Sequence, residues 1–311
     1  MTEKTLSIII PVYFNAASLP ELFERLQTLE RTLEARHTAL ELIFVDDGSR
    51  DDSFDVLLAL RQQRPQTKLV KLTRNFGGIA SSWSGFPFAT GDCIAVIAAD
   101  LQDPPEQILP MLDAWEQGEK LVFSHRRSRC DPWLTRALAG VYYCLLDALA
   151  VKGFPRGGAD MILMDKSLLP YVLQLGKGVN YSLYLFWLGF RVKLLPYDRA
   201  ARRHGKSRWT FQKKFFYFLD TVTGFSATPL RLISAVGLLV SFLSLAYGIT
   251  LILHALLQGI EVPGFVTLAV LISFSTSVIV TMLSIIGEYL WRIFEITSRH
   301  PKSVVERTYV E

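Results

Sequence analysis

Leu6-Ser-Ile-Ile-Ile-Pro-Val-Tyr13 decides the fold. The run is apolar, β-branched and closed by a proline and a tyrosine, too short for a helix and suited to a buried strand. Working outward, comparable runs recur at Leu40–Val45, Lys68–Leu72, Cys93–Ala98 and Lys120–Phe123. Their starts fall roughly 25 to 35 residues apart with helical or polar segments between, the rhythm of βαβ units around a mainly parallel sheet. Ser18-Leu-Pro-Glu21 reads as a capping box with proline in the first helical turn. Leu19, Leu22, Phe23, Leu26, Leu29 and Leu33 follow at helical spacing, and Asp51 or Asp52 is placed to cap a second helix running to about Gln63. The expected class is α/β.

Composition narrows the rest. The 311 residues are 50% hydrophobic and 12% aromatic with a net charge of +4, enough apolar surface for a core and too little charge for a disordered chain. Three irregularly spaced cysteines (Cys93, Cys130, Cys144) exclude a disulfide scaffold, and the five histidines show no zinc-site spacing. No nucleic-acid partner is expected. The mean hydropathy of +0.28 needs a local source. That source lies in Leu232–Leu257 and Val262–Gly287, which contain no Asp, Glu, Lys or Arg. Each exceeds the roughly 20 residues that cross a bilayer core.

Two transmembrane helices are therefore expected, at about 232–257 and 262–290, forming a hairpin. Arg208, Lys213, Lys214 and Arg231 precede it and Arg292, Arg299, Lys302 and Arg307 follow, whereas the connection holds Glu261 and no Lys or Arg. The positive-inside rule puts both flanks in the cytoplasm, and the first residues lack the pattern of a signal peptide. Stretches at about 132–150 and 208–228 mix basic and aromatic residues as interfacial helices do, ordinary core helices being the alternative. The expected organisation is a cytosolic domain over 1–207, an interfacial helix over 208–228, and the hairpin with a cytosolic tail over 229–311. Arg136, Arg199 and Arg203 read as cations at the membrane surface.

In open α/β sheets ligands bind beyond the carboxyl ends of the strands. Polar clusters stand at four such ends: Pro11-Val-Tyr13, Asp46-Asp-Gly-Ser49, Arg74-Asn-Phe-Gly77 and Asp100-Leu-Gln-Asp-Pro-Pro-Glu106. The first strand is not followed by GxGxxG, and Gly205-Lys206-Ser207 does not complete a P-loop because residue 200 is alanine. Acidic strand ends suit Mg²⁺ or Mn²⁺ carrying a nucleoside diphosphate, with Asp100 and Gln102 as the candidate oxygen ligands. Asp46 and Asp47 are candidates to accept hydrogen bonds from a base or ribose, and Tyr13 to pack on a base.

Together these motifs resemble the inverting family 2 glycosyltransferases of GT-A fold, whose domain is Rossmann-like. The likeness is to the bacterial polyprenyl-phosphate glycosyltransferases related to dolichyl-phosphate mannose synthase. It continues through Arg126-x-x-Arg129, Arg202-x-x-Gly-Lys-Ser-Arg208, Phe225-Ser-x-x-Pro-Leu-Arg231 and Gly287-Glu-Tyr-Leu290. The resemblance implies a nucleotide-sugar donor such as UDP-glucose, an undecaprenyl-phosphate acceptor, a divalent metal, a bacterial inner-membrane location and a homotetramer. Carried onto this sequence, it makes Asp100, Asp160 and Arg126 the catalytic candidates. Pro11, Val12, Tyr13, Asn15, Asp46, Asp47, Arg74 and Arg202 become candidates for the donor, and Arg126, Arg129, Ser207 and Arg208 for phosphate or lipid. Three positions depart from the family pattern. Ala98 stands where the metal motif has its first aspartate, Ile162 replaces the arginine of Asp-Phe-Arg-Leu, and Asn15 stands where Glu is common. Transfer to another membrane lipid, or a catalytically weak nucleotide-sugar-binding protein, are the alternatives.

Overall fold

The computed structural model describes residues 4–127, 140, 142–148, 151–155, 158–175, 179–199, 221, individual positions between 231 and 257, 264–297 and 301–310. The chain forms two compact units, one of residues 1–218 with 300–311, the other of residues 219–299.

The first unit is built on an eight-stranded sheet. In chain order its elements are β1 (Lys4–Val12), α1 (Leu19–Glu34), β2 (Thr38–Asp46), α2 (Ser53–Gln63), β3 (Lys68–Leu72), α3 (Gly78–Gly85), β4 (Cys93–Val96), α4 (Ile108–Glu116) and β5 (Leu121–Arg126). There follow β6 (Met161–Asp165), α5 (Leu169–Leu173), α6 (Tyr181–Trp187), β7 (Val192–Tyr197) and, from the C-terminal end, β8 (Val305–Tyr309). The order across the sheet is β7-β5-β6-β4-β1-β2-β3-β8. β1 pairs in parallel with β2 and β4, β2 with β3, and β5 with β7, while β6 and β8 run antiparallel to their neighbours. A mixed, mostly parallel sheet results, as the strand spacing predicts. β6, β7 and β8 carry no such rhythm and are absent from the sequence expectation.

Helices cover both faces, so the central strands are apolar on both sides. Ile8, Ile10 and Val12 meet Leu22, Phe23 and Leu26 of α1 on one face. Ile9, Val45 and Ile94 meet Phe86 and Tyr181 on the other. All six apolar positions named for the first helix are buried in α1. Its start differs in detail from a capping box, because the Ser18 side chain makes no cap hydrogen bond. Its hydroxyl instead donates to the carbonyl of Ala99 at 2.8 Å, tying the head of α1 to the chain beyond β4.

The second unit contains α7 (Phe265–Thr297), 33 residues and so about 50 Å long. Its window Phe274–Trp291 has a mean hydropathy of 1.4 and none of it is buried. Among the described residues it is the one helix long and apolar enough to cross a membrane. The described positions between 231 and 257 are helical. One of them, Gly237, faces Met282 so closely that an added Cβ would stand 2.4 Å from the methionine Cε. The expected interfacial helices lie mainly outside the described residues, apart from 140 and 142–148 of the first and Thr221 of the second, which are helical.

Candidate active site

Three of the four polar clusters expected at the strand ends, those after β1, β2 and β3, contribute to the wall of a cavity of about 380 Å³, and the Asp100–Glu106 cluster does not line it. Tyr13 and Phe14 line it after β1, Gly48, Ser49 and Arg50 after β2, Lys71 to Asn75 at the end of β3, and Glu306 from β8. Phe14 has a positive φ of 57°, an uncommon backbone for a bulky residue. Its N–H donates to Ser49 Oγ at 3.1 Å, and that of Asn15 donates to Ser53 Oγ at 2.8 Å. The Asn15 side-chain oxygen accepts the Tyr13 N–H at 2.9 Å. Asn15 therefore shapes the loop that presents Tyr13.

Asp46 and Asp47 differ from their expected role facing a base. Both are buried, at 0% and 2% exposure. Asp46 accepts the Ser49 N–H, and Asp47 accepts the N–H groups of Phe76 and Gly77 at 2.7 and 3.0 Å. Burial raises both carboxyls, Asp47 to about 6, against the opposing effect of those backbone donors. Asp46 closes the loop after β2 on itself, and Asp47 fixes that loop to the one after β3. Between them Gly48 has φ +65°, and a Cβ there would lie 2.6 Å from the Arg74 Cα and carbonyl carbon. Only glycine lets the two loops touch. Arg74 stays on the cavity with its guanidinium 4.4 Å from the centre of the Phe76 ring. Val12 is buried, its carbonyl accepting the Asp47 N–H at 2.8 Å, and Pro11 sits within β1 opposite Val45. Of the named donor residues, the cavity wall therefore gathers Tyr13 and Arg74.

Beyond β4, Asp100 accepts the Gln102 N–H at 3.2 Å, and the intervening Leu101 has a positive φ of 60°. Asp103 anchors this loop from within the fold. It is 2% exposed, accepts the Tyr197 hydroxyl, and pairs with Arg199 Nε at 3.1 Å. Burial raises the Asp103 carboxyl, with Arg199 and Tyr197 opposing the shift. This corrects the sequence expectation for Arg199, which is an internal partner of Asp103 and not a membrane-surface cation. Neither Asp103 nor Tyr197 is singled out by the sequence. Gln102-Asp103-Pro104 signals a turn, but nothing local signals a partner 94 residues away.

Arg126 ends β5 and Asp160 precedes β6. Their side chains form a two-pronged pair, Nε to Oδ2 at 3.0 Å and Nη2 to Oδ1 at 2.7 Å. Burial lowers the Arg126 guanidinium, but the Asp160 carboxylate outweighs it and the net shift is upward. Two of the three catalytic candidates, Arg126 and Asp160, are thus one unit. Ile162 pairs with Val96 and Phe123 inside the apolar core, a position where an unpaired arginine would be costly. Arg129, Arg202, Ser207 and Arg208 lie outside the described residues.

No group of three or more His, Cys, Asp or Glu among the described residues is arranged to hold a metal ion. Asp100 and Gln102 offer hard oxygen atoms and few of them. That set fits Mg²⁺ or Mn²⁺, which take one or two carboxylates and complete their shell with phosphate and water, and does not fit a structural zinc site.

The glycosyl transferase family 2 profile matches residues 7–165. An uncharacterised glycosyltransferase of Synechocystis sp. is 35% identical over 96% of this chain and 94% of its own. The bactoprenol glucosyl transferase of Shigella phage SfV is 30% identical, covering 97% of this chain and 98% of its own. A prophage bactoprenol glucosyl transferase homologue of Escherichia coli is 29% identical over the same shares. Among solved structures, glucosyl-3-phosphoglycerate synthase of Mycobacterium tuberculosis, in complex with Mn²⁺, UDP-glucose and phosphoglyceric acid, superposes with a TM-score of 0.51. It is 18% identical and covers 71% of this chain and 78% of its own, a likeness of fold. With half the chain under the family profile and a relative 35% identical over 96% of the chain, this protein belongs to glycosyl transferase family 2.

Proposed function

We propose that the enzyme transfers a sugar, glucose from UDP-glucose as the leading donor, to undecaprenyl phosphate at the cytosolic face of a bacterial inner membrane. One observation carries the lipid acceptor. The likeness to bactoprenol glucosyl transferases spans 97% of the chain, whereas the family profile ends at residue 165, so it includes the apolar unit over 219–299. The exposed apolar face of α7 supports attachment to a bilayer, and the uncharged stretch before it supports a second span. The inward-facing termini, the homotetramer and the interfacial helices are parts of the same reading.

A lipid monophosphate is largely dianionic at pH 7, by analogy with protein phosphates whose second pKa is near 6. Its oxygen needs no strong base. The disposition of the carboxylates agrees with that. Asp160 has both oxygens on Arg126, and Asp47 and Asp103 are buried in structural bonds. None is placed to take a proton from a hydroxyl acceptor. In the proposed step a phosphate oxygen bonds to the anomeric carbon as the bond to the nucleoside diphosphate breaks, with inversion. A Mg²⁺ or Mn²⁺ ion bound by Asp100 and Gln102 would supply charge neutralisation to the diphosphate. Arg126 and Asp160 orient the sugar or acceptor, Tyr13 and Arg74 hold the nucleotide, and Arg129, Arg202, Ser207 and Arg208 hold phosphate groups. Alignment and fixed charge supply the rate.

The test is direct. Detergent-purified protein is incubated with undecaprenyl phosphate and a panel of nucleotide sugars, with and without Mn²⁺, and the lipids are weighed by mass spectrometry. A hexose-phosphate lipid from one donor is expected, and none from Asp100→Ala. No product from any donor refutes the function, and transfer by Asp100→Ala at the parent rate refutes the metal assignment.

A further inference from the structure

The two aspartates at the end of β2 turn away from the cavity, yet its wall has an acidic group. Glu306 is the one Asp or Glu among the described lining residues, set against the cations Arg50, Lys71 and Arg74. It arrives from the far end of the chain on β8, where the sequence reading expects a cytosolic tail. Its Oε2 lies 3.7 Å from Lys71 Nζ.

The strand that carries it is fastened on both sides. β8 pairs antiparallel with β3, with a register shift between Lys71 and Leu72 beside Glu306. The Thr73 N–H extends this pairing to the Val304 carbonyl at 3.0 Å. Upstream, Ser303 Oγ meets Ser84 Oγ at 2.6 Å and Lys302 Nζ sits 3.7 Å from the centre of the Trp83 ring. Downstream, the Tyr309 ring packs 6.1 Å from Phe54, with the Arg61 guanidinium 5.6 Å from its centre. These contacts fix the strand at the cavity wall, while the Glu306 side chain is 44% exposed.

We infer that Glu306 is a donor-specificity residue, its carboxylate accepting a hydrogen bond from a ribose hydroxyl or base N–H of the nucleotide. This rests on reading the cavity as the nucleoside half of the donor site. Lys71, its ammonium 3.7 Å away, attracts the same carboxylate by charge. The C-terminal strand, which lies beyond the family-wide domain, thereby joins the donor site.

The experiment is calorimetric titration of the full-length protein in detergent with UMP and UDP, then GMP and GDP, at fixed Mn²⁺. Glu306→Gln is expected to weaken the monophosphate and diphosphate of the bound base by the same factor, about tenfold, or ~1.4 kcal/mol. Arg307→Gln, a substitution at an exposed position of the same strand, is expected to stay within twofold. Should Glu306→Gln fail to fold, Glu306→Asp keeps the charge, withdraws the carboxylate and serves the same comparison. Unchanged affinity, or a loss confined to the diphosphates, overturns the assignment while leaving the donor site standing. A parent protein that binds none of the four nucleotides overturns both.

Discussion

Gly48→Ala tests whether contact between the β2 and β3 loops builds the cavity proposed to hold the nucleotide. With φ at +65°, an L-residue here costs about 1–2 kcal/mol in backbone conformation alone. The new Cβ would also stand 2.6 Å from two backbone carbons of Arg74, roughly 1 Å inside a normal carbon–carbon contact. Backbone cannot rotate aside as a side-chain tip can, so overpacking adds about 1–3 kcal/mol. The combined cost of about 2–5 kcal/mol corresponds to a melting temperature lowered by roughly 5–15 °C for a domain of this size. If the Arg74–Asn75 segment yields to relieve the clash, it carries cavity wall with it, and UDP affinity falls at least tenfold. The assays are thermal unfolding in detergent and UDP titration with Mn²⁺. Gly78→Ala is the control: no atom lies within 4 Å of its Cβ, and alanine in a helix gains up to about 1 kcal/mol. A Gly48→Ala protein that melts within 2 °C of its parent and binds UDP equally well refutes the reasoning.

Two further predictions concern the buried acids. Asp47 titrates near 6 when folded and near 3.9 when unfolded, so its contribution to stability is full below about pH 4 and is lost as pH rises through 6. That difference is worth about 3 kcal/mol, and the melting temperature of Asp47→Asn should gain on the parent by several degrees between pH 4.5 and 7.5. A difference independent of pH contradicts the assignment. Asp103→Ala strips the Tyr197 hydroxyl and Arg199 of their partner in the interior and should cost about 2–4 kcal/mol, read as a fall of roughly 5–15 °C in melting temperature. A fall under 2 °C would show the loop to be held by other contacts.

Much of the sheet is legible in the sequence because β1 to β5 are contiguous apolar runs and α1 repeats leucine at the helical period. Such patterns are local. They survive being read one residue at a time, as do the polar clusters at the strand ends and the uncharged C-terminal stretches. Met161–Asp165 and Val192–Tyr197 are short and fall outside the βαβ spacing, and Val305–Tyr309 is mostly polar, so these strands take their place from neighbours already in the sheet.

The site divides along the same line. Sequence alone pointed to the candidate chemistry: oxygen donors at Asp100 and Gln102, and the Arg126 and Asp160 motifs. Folding decided how each group is spent. It turned Asp46 and Asp47 inward onto backbone donors, drew Arg199 to Asp103, sank Ile162 among apolar strands and brought Glu306 to the cavity wall. Those outcomes depend on partners far apart in the chain, and a buried polar group must take whatever partner the packed fold puts beside it.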